Sequence, residues 1–297
     1  MVEYNINDPE LLKLATEKQP SMKSPDTGAP HREINFPISG SASSTAVMIS
    51  SRKTIKMRNR IRRLPQCLEA LRVRRDWTDR FATVLPDDAE ALLKTMYAGA
   101  AQAGADGNLH AIDSVTRISR EQGMLLYHLC LERKPKVVLE TGLAYGFSTV
   151  FLLSALREIG RGRHIAIDHL QSSLWQGVGT QRGLQLGVED RFSVIEERAE
   201  QVLPQLAAER LRVQFVYIDG DHRFDGVMLD FTLAARLCGV GAVIVFDDLW
   251  MPSMRCLARY IKANRRDWRR IPSPHANFCI LEKIGTDERE WDHFVGF

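Results

Sequence analysis

Residues 216–226 read VYIDGDHRFDG, an apolar run that ends in Asp219, Asp221, His222 and Asp225. A second apolar run, AVIVFDDLW, ends in Asp247 and Asp248. Carboxylates gathered at contact distance repel one another, so a cluster of this density needs a chemical reason. Two devices supply one. A hard divalent cation takes oxygen ligands from a few carboxylates and keeps places for water and substrate. Asp219, Asp247 and Asp248 are the candidate ligands, and Mg²⁺ the expected ion. A positioned imidazole titrates where proton transfer is useful, which makes His222, with Asp219, the candidate catalytic pair. Either device activates a hydroxyl as a nucleophile. The plainer readings are that His222 caps a helix and that Asp221 and Asp225 serve helix and turn ends.

A further strand end lies upstream. KVVLETGLAYGFST passes from an apolar strand through small residues into a helix, with Glu140, Gly142, Ala144 and Gly146 at alternate positions. Small residues let the backbone turn sharply and pass close to a ligand. A dinucleotide fingerprint needs a small residue where Glu140 stands, and a carboxylate there repels a pyrophosphate. It suits a cationic group instead. HIAID then ends in Asp168, where a carboxylate can accept both hydroxyls of a ribose. A ribose and a positive group without a phosphate point to S-adenosylmethionine (SAM). Taken singly, Gly142 and Gly146 make a tight turn and Asp168 caps a helix.

These strand ends need a scaffold that brings them together. Beyond Pro135 short β-rich runs (KVVLE, HIAID, FSVIE, VQFVYID, AVIVFDD and NFCILEK) alternate with helical segments. The helical segments are TVFLLSALREI, SSLWQGVGTQRGLQL, AEQVLPQLAAER, DGVMLDFTLAARL and MRCLARYIKANRR. This alternation predicts an α/β fold, a Rossmann-like, doubly wound and mostly parallel sheet with helices on both faces. Ligands of such sheets bind outside the carboxyl ends of the strands, where the acids lie. Upstream, LPDDAEALLKTMYAGAAQAG predicts a helix with an Asp cap and a glycine stop. SREQGMLLYHLCLERK predicts another, with Ser119 and Gln122 spaced as a capping box.

The chain has 297 residues, 44% of them hydrophobic and 26% charged, within the globular range. Its net charge of +3 is unevenly spread: residues 51–75 hold ten Lys/Arg and one acid, Glu69. Met57, Ile61, Leu64, Leu68 and Leu71 give that basic stretch an apolar helical stripe, interrupted at Pro65. It lacks interleaved aromatics, so nucleic acid is not the expected partner. Residues 1–50 carry Pro20, Pro25, Pro30 and Pro37 with SGSASS, which predicts a flexible arm. The expected division is an arm over 1–50, a basic helical appendage over 51–112 and a catalytic domain over 113–297. Five cysteines without CxxC spacing, no secretory leader and no membrane-length apolar run predict a cytoplasmic protein.

Residues 118–283 resemble the class I SAM-dependent methyltransferases. Within them the likeness is to small-molecule O-methyltransferases of the catechol, caffeoyl-CoA and macrolide-sugar type. SREQG, the E-x-G-x-A-x-G loop, IDGDH and FDDLW carry the resemblance. It implies that Glu140 and the Gly142–Gly146 loop, with Ser148 beyond it, hold the methionine part of SAM. Asp168 would hold the ribose, Ala199 border the adenine and Gln122 lie near the amino-acid end, with Asp219 also bordering the cofactor. Asp219, Asp247 and Asp248 match the metal positions, and His222 the proton-accepting one. Ala144 departs from the usual glycine, and Asp247-Asp248 from the usual Asp-Asn. The implied activity is O-methylation of a small hydroxylated acceptor such as a sugar, phenol or natural product, with a homodimer compatible. The alternatives are an NAD(P)-dependent oxidoreductase and a non-catalytic SAM-binding scaffold.

Overall fold

A computed structural model describes Trp77 and residues 80–297. The arm over 1–50 and the apolar stripe from Met57 to Leu71 lie outside the described residues. The main sheet has seven strands in the order β5-β4-β3-β6-β7-β9-β8. They are β3 (Val137–Thr141), β4 (Arg163–Ile167), β5 (Phe192–Ile195), β6 (Val213–Ile218), β7 (Cys238–Phe246), β8 (Trp268–Ile271) and β9 (Cys279–Lys283). A two-stranded hairpin, β1 (Gln102–Ala103) and β2 (Leu109–His110), precedes them. Strands β3 to β7 pair in parallel, whereas β9 runs antiparallel to both β7 and β8. The chain begins at β3, moves outward to β5 and returns to β6 on the other side. The switch point therefore falls between the carboxyl ends of β3 and β6.

Side-chain alternation along each strand feeds two apolar layers. Val138, Phe215, Tyr217, Val243 and Val245 pack under α1 (Asp87–Tyr97), α2 (Arg120–Arg133) and α3 (Phe147–Ile159). Leu139, Val216, Ile218, Ile244 and Phe246 face the other layer. That layer holds α5 (Ala199–Ala208), α6 (Phe224–Leu237) and α7 (Pro252–Asn264). Both faces are covered, which is why the central strands read as unbroken apolar runs.

Three local expectations change. Helix α1 has Pro86 at its N-cap with no side-chain cap bond, so the Asp cap is not formed. Asp87, Asp88 and Glu90 instead sit in its first turn, where the positive end of the helix favours acids. Residues 172–186 are not one helix: turns lead to a 3₁₀ turn at Gly179–Gln181 and the short α4 (Arg182–Gln185). Gly177, Gly179 and Gly183 interrupt that segment, and Gly177 takes a positive φ of 67°. Strand β8 was not expected, since WRRI is a short edge strand directly after a helical pattern. The Ser119–Gln122 capping box of α2 is present.

Helices α2 and α3 pack so closely at Gly123 that any Cβ there would overlap the Phe151 ring. Gly123→Ala should therefore destabilise the fold by about 1–3 kcal/mol. A lowered urea midpoint checks this; an unchanged midpoint would remove the close approach from the account.

Candidate active site

The parallel ladder continues one residue past the strands, with Asp219 N–H donating to the Thr141 carbonyl at 2.9 Å and Asp247 N–H to the Ile218 carbonyl at 3.3 Å. These bonds align the ends of β3, β6 and β7 at one edge, where a cavity of about 900 Å³ opens. Gly142, Ala144, Ser148, Asp168, Ala199 and Asp219 line it. Gln122, His222, Asp247 and Asp248 border the same space.

The loop after β3 requires its small residues. Gly142 has φ 85°, and a Cβ there would overlap the Asp219 carbonyl oxygen. Gly146, φ 75°, forms the N-cap of α3, and its Cβ would stand 2.8 Å from Arg182 Cγ. Ala144 also takes a left-handed conformation, φ 45°, at a modest steric cost. Asp168 offsets this: its Oδ2 accepts from the amides of Leu143 at 3.1 Å and Ala144 at 2.8 Å. Its Oδ1 accepts from the Leu170 amide at 2.9 Å. Asp168 thus clamps the loop while facing the cavity.

Glu140 departs from the expected arrangement. It lies within β3, one residue before the strand's end, so alternation turns its side chain into the α3 layer and away from the cavity. There it is fully buried, accepts from Ser148 Oγ and Thr149 Oγ1, and stands 3.0 Å from His164 Nε2. Any hold on a cofactor runs through Ser148, which is both its partner and part of the cavity wall. Gln122 also differs. Its Nε2 donates to both oxygens of Asp247, at 2.7 and 2.9 Å, rather than standing free for a cofactor.

The acids divide into two groups. Asp247 is buried and accepts five contacts, from Gln122 (two), Tyr217 Oη at 2.7 Å, Asn277 Nδ2 at 2.7 Å and the Asp248 amide at 2.6 Å. Burial and the neighbouring Asp219 charge push its carboxyl up to about 8. Asp219, His222 and Asp248 form the other group, with one ligand atom of each within 4.8 Å of the others. His222 Nε2 stands 2.9 Å from Asp248 Oδ2 and 3.4 Å from Asp219 Oδ1. The Asp219 and Asp248 carboxylates raise its pKa to about 10. Asp221 is bound to Arg223, and Asp225 lies in the first turn of α6.

Sequence reasoning missed Tyr217, Asn277 and Trp250. Tyr217 lay hidden in an apolar strand, and its hydroxyl reaches both Asp247 and, at 3.2 Å, Asp219. Asn277 precedes β9 and bears no motif. Trp250 was visible in FDDLW, and its Nε1 donates to Asp248 Oδ1 at 2.7 Å.

Asp230, from α6, lies beneath this edge and accepts from Thr141 Oγ1 at 3.1 Å. Burial raises its pKa to about 6. The folded value exceeds the unfolded one, so Asp230 favours folding below pH ~4, and that contribution is lost as pH rises to about 6. Asp230→Asn should flatten the stability profile between pH 4 and 6 and stabilise the protein at pH 7.5, on the order of 2 kcal/mol. Urea midpoints across that range check the sign.

Comparison with known proteins bears on this site. A family model described as "Methyltransferase domain" matches residues 139–249. No curated protein matches the chain. Among solved structures, the O-methyltransferase TomG from Streptomyces achromogenes, in complex with SAM, is 23% identical with a TM-score of 0.51. That match covers 69% of this chain and 93% of TomG. An O-methyltransferase from Bacillus cereus in complex with SAH is 19% identical over 72% of this chain and 97% of its own, TM-score 0.51. The SAH-bound methyltransferase PaMTH1 of Podospora anserina is 14% identical over 82% and 100%, TM-score 0.52. At such identities the shared property is the fold. Residues 139–249 are thus similar to a methyltransferase domain, in a chain that shares its fold with these methyltransferase structures.

Proposed function

We propose that the chain is a SAM-dependent O-methyltransferase of a small hydroxylated acceptor, with residues 113–297 as its catalytic domain. The observation that carries this reading is that one cavity joins the Gly142–Gly146 loop and Asp168 to the Asp219, His222 and Asp248 cluster. The crowded Gly142 backbone, the Asp168 clamp and the wall residue Ser148 fit a cofactor with a ribose and an amino-acid end, and Ala199 borders the remaining wall. The SAM- and SAH-bound relatives support the same cofactor. Bound there, SAM would supply an electrophilic methyl group on its sulfonium sulfur. The residues of the cluster would position the acceptor hydroxyl, and a divalent cation held at this edge, with Mg²⁺ the ion expected from the sequence, would lower its pKa.

The same proposal includes a cytoplasmic setting and a homodimer. Among the described residues no helix is long and apolar enough to cross a membrane. SAM and SAH should raise the thermal midpoint and NAD should not; the reverse would make the loop a dinucleotide site. Asp168→Ala should weaken SAM binding at least tenfold, measured by calorimetry. Labelled SAM offered with sugar, phenol and natural-product acceptors, with and without chelator, then identifies the acceptor class.

A further inference from the structure

Among the described residues, a cation held at this edge has two candidate sets of protein ligands. Asp219, Asp247 and Asp248 are all-oxygen, whereas Asp219, His222 and Asp248 include one nitrogen. Coordination capacity separates them. A carboxylate offers about four lone-pair directions. The five contacts from Gln122, Tyr217, Asn277 and the Asp248 amide use those of Asp247, and only 2% of its surface is exposed. Asp247 has no direction left for an ion.

The other set has one free atom on each residue. Asp219 Oδ2 faces the Tyr217 hydroxyl, which leaves Oδ1. Asp248 Oδ1 accepts from Trp250 Nε1 and Asn277 Nδ2, which leaves Oδ2. These two free oxygens are the atoms that flank His222 Nε2, at 3.4 and 2.9 Å. Nε2 is itself screened from solvent, and neither approach is aligned as a hydrogen bond. Neighbouring ligands of a cation with bonds of about 2.1 Å stand roughly 3 Å apart, so the spacing matches a shared ion.

We propose that the site binds its cation through Asp219 Oδ1, His222 Nε2 and Asp248 Oδ2. Asp247 acts as the buried positioning residue that aims Asp248, Tyr217 and Asn277. An imidazole in the set changes the preferred ion. Mg²⁺ takes oxygen donors, whereas imidazole suits first-row transition dications, so the site selects Mn²⁺ and its heavier neighbours over Mg²⁺. The proposal rests on the methyl-transfer reading only for the use to which the cation is put.

The test uses the full chain with Mn²⁺ and Mg²⁺ as probes, read by thermal shift and electron paramagnetic resonance. Mn²⁺ should bind at least tenfold more tightly than Mg²⁺, and bound Mn²⁺ should show nitrogen modulation from a directly coordinated imidazole. His222→Asn should abolish that modulation and most of the preference for Mn²⁺, and Asp248→Asn should weaken Mn²⁺ binding at least tenfold. The nitrogen signal is read on the unsubstituted protein, so it does not depend on how a variant folds. Bound Mn²⁺ without nitrogen modulation, equal affinity for Mg²⁺, or no divalent binding overturns the ligand set. SAM binding is measured on the same sample. SAM bound without any cation removes the ligand set and leaves methyl transfer; cation bound without SAM does the opposite.

Discussion

The cleft depends on one buried carboxylate. Asp247 takes hydrogen bonds from α2 through Gln122, from β6 through Tyr217, and from the approach to β9 through Asn277. A polar group withdrawn from water is costly unless such donors replace its hydration, so the carboxyl and its partners hold one another in place. Removing one donor would leave part of that cost uncompensated, on the order of 1–3 kcal/mol. The consequence is geometric: α2 is pinned over the strand ends, and the wall of the cavity with it. Two of the three side-chain donors, Gln122 and Asn277, lie outside the segment 139–249 that matches the methyltransferase family, while the loop and the acids lie within it.

The opposite side of the cleft is fixed by steric exclusion. The β3 and β6 ends approach so closely that only glycine fits at position 142, and the loop beyond it twice more adopts left-handed conformations. Asp168 stabilises that unfavourable path by drawing two loop amides onto one oxygen. Glu140 secures it from below through two hydroxyls of the first turn of α3. The loop is therefore shaped by contacts formed independently of any cofactor.

Much of this was legible in the chain because it depends on periodicity and on strand ends. Apolar runs located the parallel strands, which span four to nine residues, and the acids after them marked the working edge. The loop glycines and Asp168 were legible for the same reason, being fixed by local backbone geometry. Side-chain direction was less legible: Glu140 reads as a terminal acid, but one step of strand alternation sends it into the core. Long-range partners were hidden altogether. Gln122 and Asp247 are 125 residues apart, and nothing local to either announces the other. The segment 172–186 misled because its apolar spacing is helical while its glycines are not.

The reversed direction of β9 has a consequence for the timing of assembly. Because it runs against its neighbours, its amino end meets the edge where the parallel strands finish, and this delivers Asn277 to the acids. It also lies between β7 and β8, so a strand late in the chain must enter the sheet with a neighbour on each side. During synthesis the loop and all the acids leave the ribosome before that strand does. A nascent chain would carry every candidate ligand in sequence yet lack the donor that orients two of them, and the site would become complete only as the last strand of the sheet is seated.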